Sequence, residues 1–203
     1  MGSQVFPTKN NLMATKKSLA LAKLGYDLMD RKRNILVREM MSLIGKSSTI
    51  QSDISSAYAQ AYSSLQQAHL TMGSCQESAN CVPIDNSLHI SVRSVMGVEL
   101  PTITIGNEDQ SFYYGLNATN SLLDEAYIKF DEVKRLTVQL AEIESNVFRL
   151  ADAIKKTQKR TNALSNIMIP KFTSTVKFIS DALDEKERED FSRLKVIKRQ
   201  KNS

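Results

Sequence analysis

The chain's cysteine and histidine residues all fall within one short stretch, between the two most regular parts of the sequence. They are His69, Cys75, Cys81 and His89. These residue types bind zinc, but the spacing between the cysteines is wider than the usual two to four residues of structural zinc sites. His89 alternates with apolar neighbours, as on a β-strand, which does not direct it towards the cysteines. We therefore expect reduced thiols, with no metal and no other cofactor.

The sequence lacks the motifs of a catalytic or nucleotide-binding site. It contains neither a glycine-rich phosphate loop nor a nucleophile motif. The acidic run DALDEKERED has Lys and Arg partners close by, which is typical of a solvated helix face rather than of a catalytic carboxylate pair. The chain is predicted not to be an enzyme by itself.

The composition favours long helices. The 203 residues include no Trp, only seven Gly and four Pro, and much Ala, Ser, Lys, Leu and Ile. No apolar run approaches the roughly 20 residues that a membrane span needs. The first residues lack the apolar core of a signal peptide. We therefore expect a cytoplasmic chain without direct membrane insertion.

The net charge of +5 is concentrated in short basic clusters. Such clusters could attract nucleic acid or anionic lipid. Acidic residues are interspersed among them and no aromatic platform accompanies them, so we interpret them as solvated helix faces. We expect no nucleic-acid partner, and salt-sensitive binding to duplex would contradict this interpretation.

The first long periodic pattern runs from Leu12 to about Met72 without a proline. Apolar residues recur there at steps that are mostly three, four or seven, which is helical and nearly heptad. We predict that Leu21, Leu28 and Ile35 belong to a coiled-coil seam. The later part of the pattern is rich in Ala and Ser, which permit a neighbouring structure to approach closely.

The second periodic pattern is more regular. Steps of three and four continue without a break through Val133, Leu136, Leu140, Ile143, Val147, Leu150 and Ile154. A repeat of about 3.5 residues over this distance predicts a left-handed supercoil with a partner helix. The helix is predicted to start near Ser121, which can cap it, with Asp124 in the first turn.

The stretch between the two patterns has a different character. In SLHISVRSVMGVELPTITIG, apolar and polar residues alternate, and Gly97 and Pro101 punctuate the alternation, which predicts a small β-hairpin. The order helix, hairpin, helix makes the two long helices antiparallel neighbours. We therefore predict a mainly α fold, a long antiparallel two-helix coiled coil with a hairpin-containing insert. The segments are 1–72 (N-terminal shaft helix), 73–117 (insert) and 118–203 (C-terminal shaft helix).

Pro170 lies inside the C-terminal helical pattern. A proline in a helix interior costs about 3 kcal/mol, because it removes a hydrogen bond and clashes with the preceding turn. Beyond Ile154 the count of three and four continues through Thr157, Thr161, Leu164, Met168, Lys171, Thr175, Phe178 and Ala182. Pro170 falls outside this seam, and the apolar residues after it are displaced sideways, at Phe172, Val176, Ile179 and Leu183. We predict a kink at Pro170.

Four segments of the chain resemble the D subunit of the V-type and A-type rotary ATPases. They are PTKNNLMATKKSLALAKLGYDLMDRKRNILVREM, SVMGVELP, RTNALSNIMIP and EREDFSRLKVIK. In order and spacing these segments span almost the whole chain. The lack of a long charged C-terminal extension makes the chain similar to the bacterial or archaeal type.

The resemblance implies a central stalk rotor protein, which transmits torque between an ATP-hydrolysing ring and the membrane ion-translocating rotor. The implied partners are the catalytic and regulatory ring subunits A and B, the companion F subunit of the stalk and the socket subunit of the membrane rotor. The implied location is peripheral, on the cytoplasmic face of the membrane. A kink at Pro170 would give the shaft an asymmetric outline, which we expect to help the catalytic sites of the ring adopt different states.

If the resemblance holds, the functional sites are surfaces. The expected ring contacts are Lys16, Lys17, Arg31, Lys32, Arg33, Lys155, Lys156, Lys159 and Arg160. The expected surface for the companion or the socket subunit comprises Ile54, Ala57, Ala61, Leu65, Val95, Met96 and Gly97.

The helical periodicity alone fits a second kind of protein equally well. A non-rotary coiled-coil scaffold or tethering protein would show the same repeat. Only the four family segments argue against this alternative, and recovery of ATPase ring subunits together with the chain would separate the two.

Overall fold

The computed structural model describes residues 6–106, 113–115 and 119–201. In chain order the elements are helix α1 (Lys9–Met72), the short helix α2 (Gln76–Asn80), strands β1 (Leu88–Val95) and β2 (Val98–Ile105), helix α3 (Ser121–Ala163), a π-helical segment (Leu164–Met168) and helix α4 (Ile169–Lys201). The predicted mainly α fold, with long helices at both ends of the chain and a small hairpin between them, is confirmed.

The described residues pack as two compact units. The terminal unit contains those up to Asn34 together with those from Lys155 onward, and the central unit is Ile35–Ile154. Each unit therefore contains part of α1 and part of the C-terminal helices, whereas the segments 1–72, 73–117 and 118–203 follow chain order.

Local signals explain where α1 begins and ends. The Thr8 hydroxyl accepts a hydrogen bond from the backbone N–H of Asn11 at 3.2 Å, which is the usual role of a threonine that caps a helix. Beyond Met72, Gly73 has a φ of +81° and its N–H donates to the carbonyl of His69 at 2.9 Å. Glycine adopts this left-handed conformation without strain, so α1 ends there.

In the terminal unit, α1 runs antiparallel to the C-terminal helices. Lys9, at the start of α1, forms an ion pair with Glu187 of α4 at 2.9 Å. Farther along α1, Arg33 Nη1 donates to Gln158 Oε1 of α3 at 3.0 Å. A later residue of α1 thus contacts an earlier residue of the C-terminal helices, so the two run in opposite directions.

The central unit shows the same direction within its own helices. Leu36 and Leu43 of α1 share a core cluster with Ile143 and Leu150 of α3 and with Leu100 of β2. Near the other end of α1, Lys129 Nζ of α3 donates to Ser64 Oγ at 2.8 Å. The hairpin therefore contributes a side chain to the same core that joins the two helices.

The buried side of α1 is one unbroken heptad stripe. Its residues alternate steps of three and four and are all buried or half-buried: Leu12, Thr15, Leu19, Ala22, Tyr26, Met29, Arg33, Leu36, Met40, Leu43, Ser47, Ile50, Ile54, Ala57, Ala61, Ser64 and Ala68. A repeat of this kind keeps one side of a helix against its neighbour.

The predicted seam residues Leu21, Leu28 and Ile35 lie outside this stripe. Their exposed fractions are 68%, 56% and 37%. The prediction is wrong by one position, because a stripe residue directly follows each of the three. At the first of these steps the stripe uses Ala22, although the bulkier Leu21 stands beside it.

The hairpin closes with a tight two-residue turn. Met96 and Gly97 have φ values of 51° and 74°, as in the type I′ turns whose twist matches that of paired strands. The register is continuous from Leu88 opposite Ile105 to Val95 opposite Val98. Gly97 adopts the positive φ readily, and Met96 is the one non-glycine residue with a positive φ among the described residues.

The π-helical segment changes the phase of the C-terminal helix. The N–H of Ile169 donates to the carbonyl of Leu164, five residues earlier, so one extra residue is accommodated before α4. Ile179 is fully buried, whereas Phe178 is 60% exposed. The displaced stripe Phe172, Val176, Ile179 and Leu183 is therefore the inward one, and the count through Lys171 and Phe178 is wrong beyond this segment.

Candidate functional surfaces

The predicted seam of α3 lies against α1 and the hairpin in the central unit. Val133, Ile143 and Leu150 are 3%, 8% and 0% exposed. The remaining seam positions are half-buried, namely Leu136, Leu140, Val147 and Ile154. Side chains that interlock between two helices resist sliding and twisting of one helix against the other.

The residues expected to contact a ring all belong to the terminal unit. Most are exposed: Lys16, Lys17, Arg31, Lys155, Lys156, Lys159 and Arg160. Lys32 and Arg33 are half-buried. Arg33 is engaged within the chain, since Nη2 lies 2.6 Å from Asp30 and Nη1 bonds to Gln158. Arg33 therefore holds α1 to α3 and is less suited to an external contact than its neighbours.

The residues expected to dock a companion or socket subunit are split between the interior and the surface. Ile54 and Ala61 are buried and Ala57 is half-buried, because all three belong to the stripe of α1. The small side chains permit the close approach of α3 and do not form an open docking surface, so this part of the prediction is corrected. Leu65 and Val95 are half-buried, and Met96 and Gly97 are exposed at the hairpin turn.

The cysteine and histidine residues each have a local environment. Cys75 is buried, and its Sγ lies 3.7 Å from the carbonyl of Gly73, which also contacts His69 Nδ1 at 2.8 Å. Cys81 is an exposed free thiol, and His89 is exposed on β1. In the part of the chain that the structure describes, no group of three or more metal-binding side chains could hold an ion.

Polar side chains of α3 fasten the outer edge of β2. Asn146 Nδ2 donates to the carbonyl of Pro101 at 3.0 Å, and Arg149 Nη1 donates to the carbonyl of Glu99 at 3.1 Å. Glu142 Oε2 accepts from the backbone N–H of Ile103 at 3.0 Å. These three side chains share one face of α3, so a single helix face satisfies alternate backbone groups of the strand.

An ion-pair network fastens the segment before β1 to α3. Lys134 Nζ lies 2.9 Å from Asp85 and 2.8 Å from Asp131, which also pairs with Arg135 at 3.0 Å. Hydrogen bonds from Ser87, and next from Lys134, hold the pKa of Asp85 far below its usual range. Asp85 is therefore a carboxylate in this arrangement at neutral pH.

Aromatic residues pack together where the insert meets α3. Tyr114 donates a hydrogen bond to Asp124 at 2.8 Å and meets Tyr127 edge to face. Burial, and next the bond to Asp124, raises the pKa of Tyr114 well above its usual value. A cavity of about 500 Å³ lies beside them, lined mainly by apolar and aromatic side chains such as Phe130, with Lys134 at its polar side.

The fastening of the hairpin was not predicted from the sequence. The spacing of Glu142, Asn146 and Arg149 places them on one helix face, and Pro101 marks a strand position whose N–H is not needed within the hairpin. Together these are the signals that could have indicated it. Neither reveals which strand edge meets the helix.

The structure defines a class of protein before any comparison. Long helices run antiparallel in each unit, and a hairpin is fixed to one of them. This is the arrangement of an antiparallel coiled-coil protein with a β-hairpin insert.

Comparison with known proteins names the family. The family model described as the D subunit of ATP synthase matches residues 11–199. The V-type ATP synthase D subunit of Thermotoga neapolitana is 43% identical, over 96% of this chain and 97% of the relative. The A-type ATP synthase D subunits of Pyrococcus horikoshii and Thermococcus kodakarensis are 34% and 36% identical, over 96% of this chain and 94% and 93% of their own lengths.

This chain belongs to the ATP synthase D-subunit family of V-type and A-type ATPases, as the resemblance of its segments predicted. The scaffold or tether alternative is not favoured. Among the described residues, none of the helices is long and apolar enough to cross a membrane.

Proposed function

We propose that this chain is the central stalk rotor protein of a V/A-type ATPase. In this role it transmits torque between the ATP-hydrolysing ring and the membrane ion-translocating rotor and performs no catalysis itself. The observation that carries the proposal is the fully buried Leu150, which locks α3 against α1 and the hairpin in the central unit. Torque requires helices that do not slip past one another, and an interlocked core provides that resistance.

The proposed partners are the ring subunits A and B, the companion F subunit and the socket subunit of the membrane rotor. The family name supports membership of a multi-subunit complex. We place the chain peripherally, on the cytoplasmic face of the membrane as part of that complex. The exposed turn residues Met96 and Gly97 remain the surface that we propose for the companion or socket subunit.

The exposed basic residues of the terminal unit are the proposed contacts with the ring. An exposed ion pair contributes about 1 kcal/mol or less. Weak contacts suit a rotor, because a strong pair would hold one angle and stall rotation. Arg31, Lys155 and Lys159 are exposed, whereas Arg33 is committed to Asp30 and Gln158.

The test is a reconstituted ATPase complex that contains Leu150→Asp. A charge at this fully buried position costs roughly 3 kcal/mol or more and should loosen the core between α1 and α3. We expect ATP hydrolysis to continue while ATP-driven ion pumping falls. Ala151→Asp is the matched control, because Ala151 is the exposed neighbour and receives the same charge.

Two results would contradict the proposal. The first is pumping in the Leu150→Asp complex that equals pumping in the Ala151→Asp complex, although the variant is incorporated. The second is a purified ATPase complex that hydrolyses ATP and pumps ions normally without this chain.

A further inference from the structure

Among the residues that the structure describes, no further strand pairs with the outer edge of β1. In an antiparallel pair, alternate residues turn their backbone groups outward, away from the partner strand. The bonds from α3 to Glu99, Pro101 and Ile103 mark the outward positions of β2. The residues opposite them are Ser94, Val92 and Ile90. These three therefore turn their N–H and C=O groups outward from β1, where no described residue bonds to them.

The two edges of the hairpin differ in what covers them. The β2 edge is occupied by side chains of α3, whereas β1 is exposed along Leu88–Ser94. Proteins usually protect a free edge with proline, lysine, a bulge or a covering element. Residues Leu88–Val95 include no proline or lysine, and the continuous register leaves no bulge. Arg93 is the one charged side chain of Leu88–Val95, so an edge of this length is a site for an added strand.

The side chains of β1 specify the chemistry of that strand. Leu88, Ile90 and Val92 share one face and are 47%, 71% and 62% exposed. The other face presents His89 and Arg93, and Leu88–Val95 contains no carboxylate. Arg93 pairs with Glu39 of α1 at 2.9 Å and its side chain is still 55% exposed. A complementary strand carries apolar residues on one face and an acidic residue on the other.

We propose that β1 accepts an extended segment of another protein of the ATPase complex as the third strand of this sheet. The segment has apolar side chains beside Leu88, Ile90 and Val92 and an Asp or Glu beside Arg93. A second copy of this chain does not fit, because its own Leu88–Val95 contains no carboxylate to place beside Arg93. This proposal rests on the proposed function, since it takes its partner from the same complex.

Amide hydrogen exchange tests the proposal residue by residue. In the isolated full chain, the inward amides of Ser91 and Arg93 should exchange slowly, because β2 bonds to them, and those of Ile90, Val92 and Ser94 should exchange fast. In the complete ATPase complex that contains this chain, the three outward amides should slow by about tenfold or more, since each gains a hydrogen bond. The alternating pattern distinguishes a paired strand from a face that is merely covered.

The outcomes separate this proposal from the proposed function. Outward amides that exchange equally fast in the complex and in the isolated chain overturn the added strand and leave the rotor function intact. A chain that enters no ATPase complex overturns both.

A pair of variants at one residue provides the second measurement. Ile90→Pro removes one outward N–H and leaves the bonds to β2, as Pro101 does in the opposite strand, whereas Ile90→Ala keeps the N–H. In the complex, we expect Ile90→Pro to abolish the slowing at Val92 and Ser94 and Ile90→Ala to retain it. Slowed outward amides in the Ile90→Pro complex would overturn the proposal. Slow exchange of the Ser91 amide in the isolated Ile90→Pro chain verifies that the hairpin has formed. If that amide exchanges fast, the comparison of the unaltered chain alone and in the complex decides the question.

Discussion

The π-helical segment Leu164–Met168 accommodates one extra residue and so sets which side chains of α4 face inward. Removing one exposed residue from this segment, Asn166, should let the helix continue as regular α-helix with its inward stripe unchanged. Because regular α-helix at Pro170 would be strained, the deletion is best made in a Pro170→Ala background, which restores the missing N–H. The matched control in the same background deletes Ser174, which is also exposed but lies beyond the segment.

The two deletions have different expected magnitudes. Without Asn166, Phe172 and Ile179 keep their inward positions and the helix recovers regular hydrogen bonds, so stability should change by no more than about 1 kcal/mol. Without Ser174, Val176, Ile179 and Leu183 each rotate by one residue. Full burial of such a side chain contributes about 1.5–3 kcal/mol, and only Ile179 is fully buried. The expected loss is roughly 3–6 kcal/mol for the three together.

Urea unfolding gives the free energies of both deletions, and amide exchange around Ile179 reports on α4 directly. We expect slow exchange at Ile179 after deletion of Asn166 and fast exchange after deletion of Ser174. Equal destabilisation by the two deletions would refute the conclusion that the π-helical segment sets the phase of α4.

Three further predictions concern the other parts of the fold. Leu36→Ala should cost about 2–5 kcal/mol in urea unfolding and Ile35→Ala clearly less, because Leu36 is fully buried; equal costs would contradict the stripe. Asn146→Ala leaves the buried carbonyl of Pro101 without its donor and should cost about 1–3 kcal/mol, and an unchanged urea midpoint would show that this bond does not fasten the hairpin. The lowered pKa of Asp85 contributes stability that is present above its unfolded pKa of about 3.9 and is lost as the pH falls below that value. The free energy of unfolding, measured from about pH 6 to about pH 2, should therefore change less with pH in Asp85→Asn than in the unaltered chain. Identical pH profiles would show that the Asp85 carboxylate does not contribute this stability.

Periodicity predicted the long helices well, because a repeat that extends over many turns leaves few alternatives. The predicted seam of α1 is wrong by one position at Leu21, Leu28 and Ile35, because the apolar pattern there does not coincide with the buried positions of the helix. Counting steps of three and four back from Met40 reaches Leu36 and then Arg33, a charged residue that an apolar pattern rejects. In the structure, Arg33 takes this position because Asp30 and Gln158 satisfy its guanidinium.

The surfaces were harder to predict than the helices. Small residues such as Ala57 and Ala61 indicate close approach, but the spacing does not say whether α3 or another protein approaches. The same limit applies to the hairpin. Alternation predicted its strands, whereas the choice of β2 as the fastened edge depends on Glu142 and Asn146, which are distant in the sequence.

Rotation of this chain within a working complex tests the central claim most directly. Cys81 is an exposed thiol and Cys75 is buried, so a bead can be attached at Cys81 of the chain in an immobilised ATPase complex. The account predicts that the bead turns in one direction when ATP is added and stops when ATP is removed. A complex that hydrolyses ATP while the bead on this chain stays at a fixed angle would contradict it.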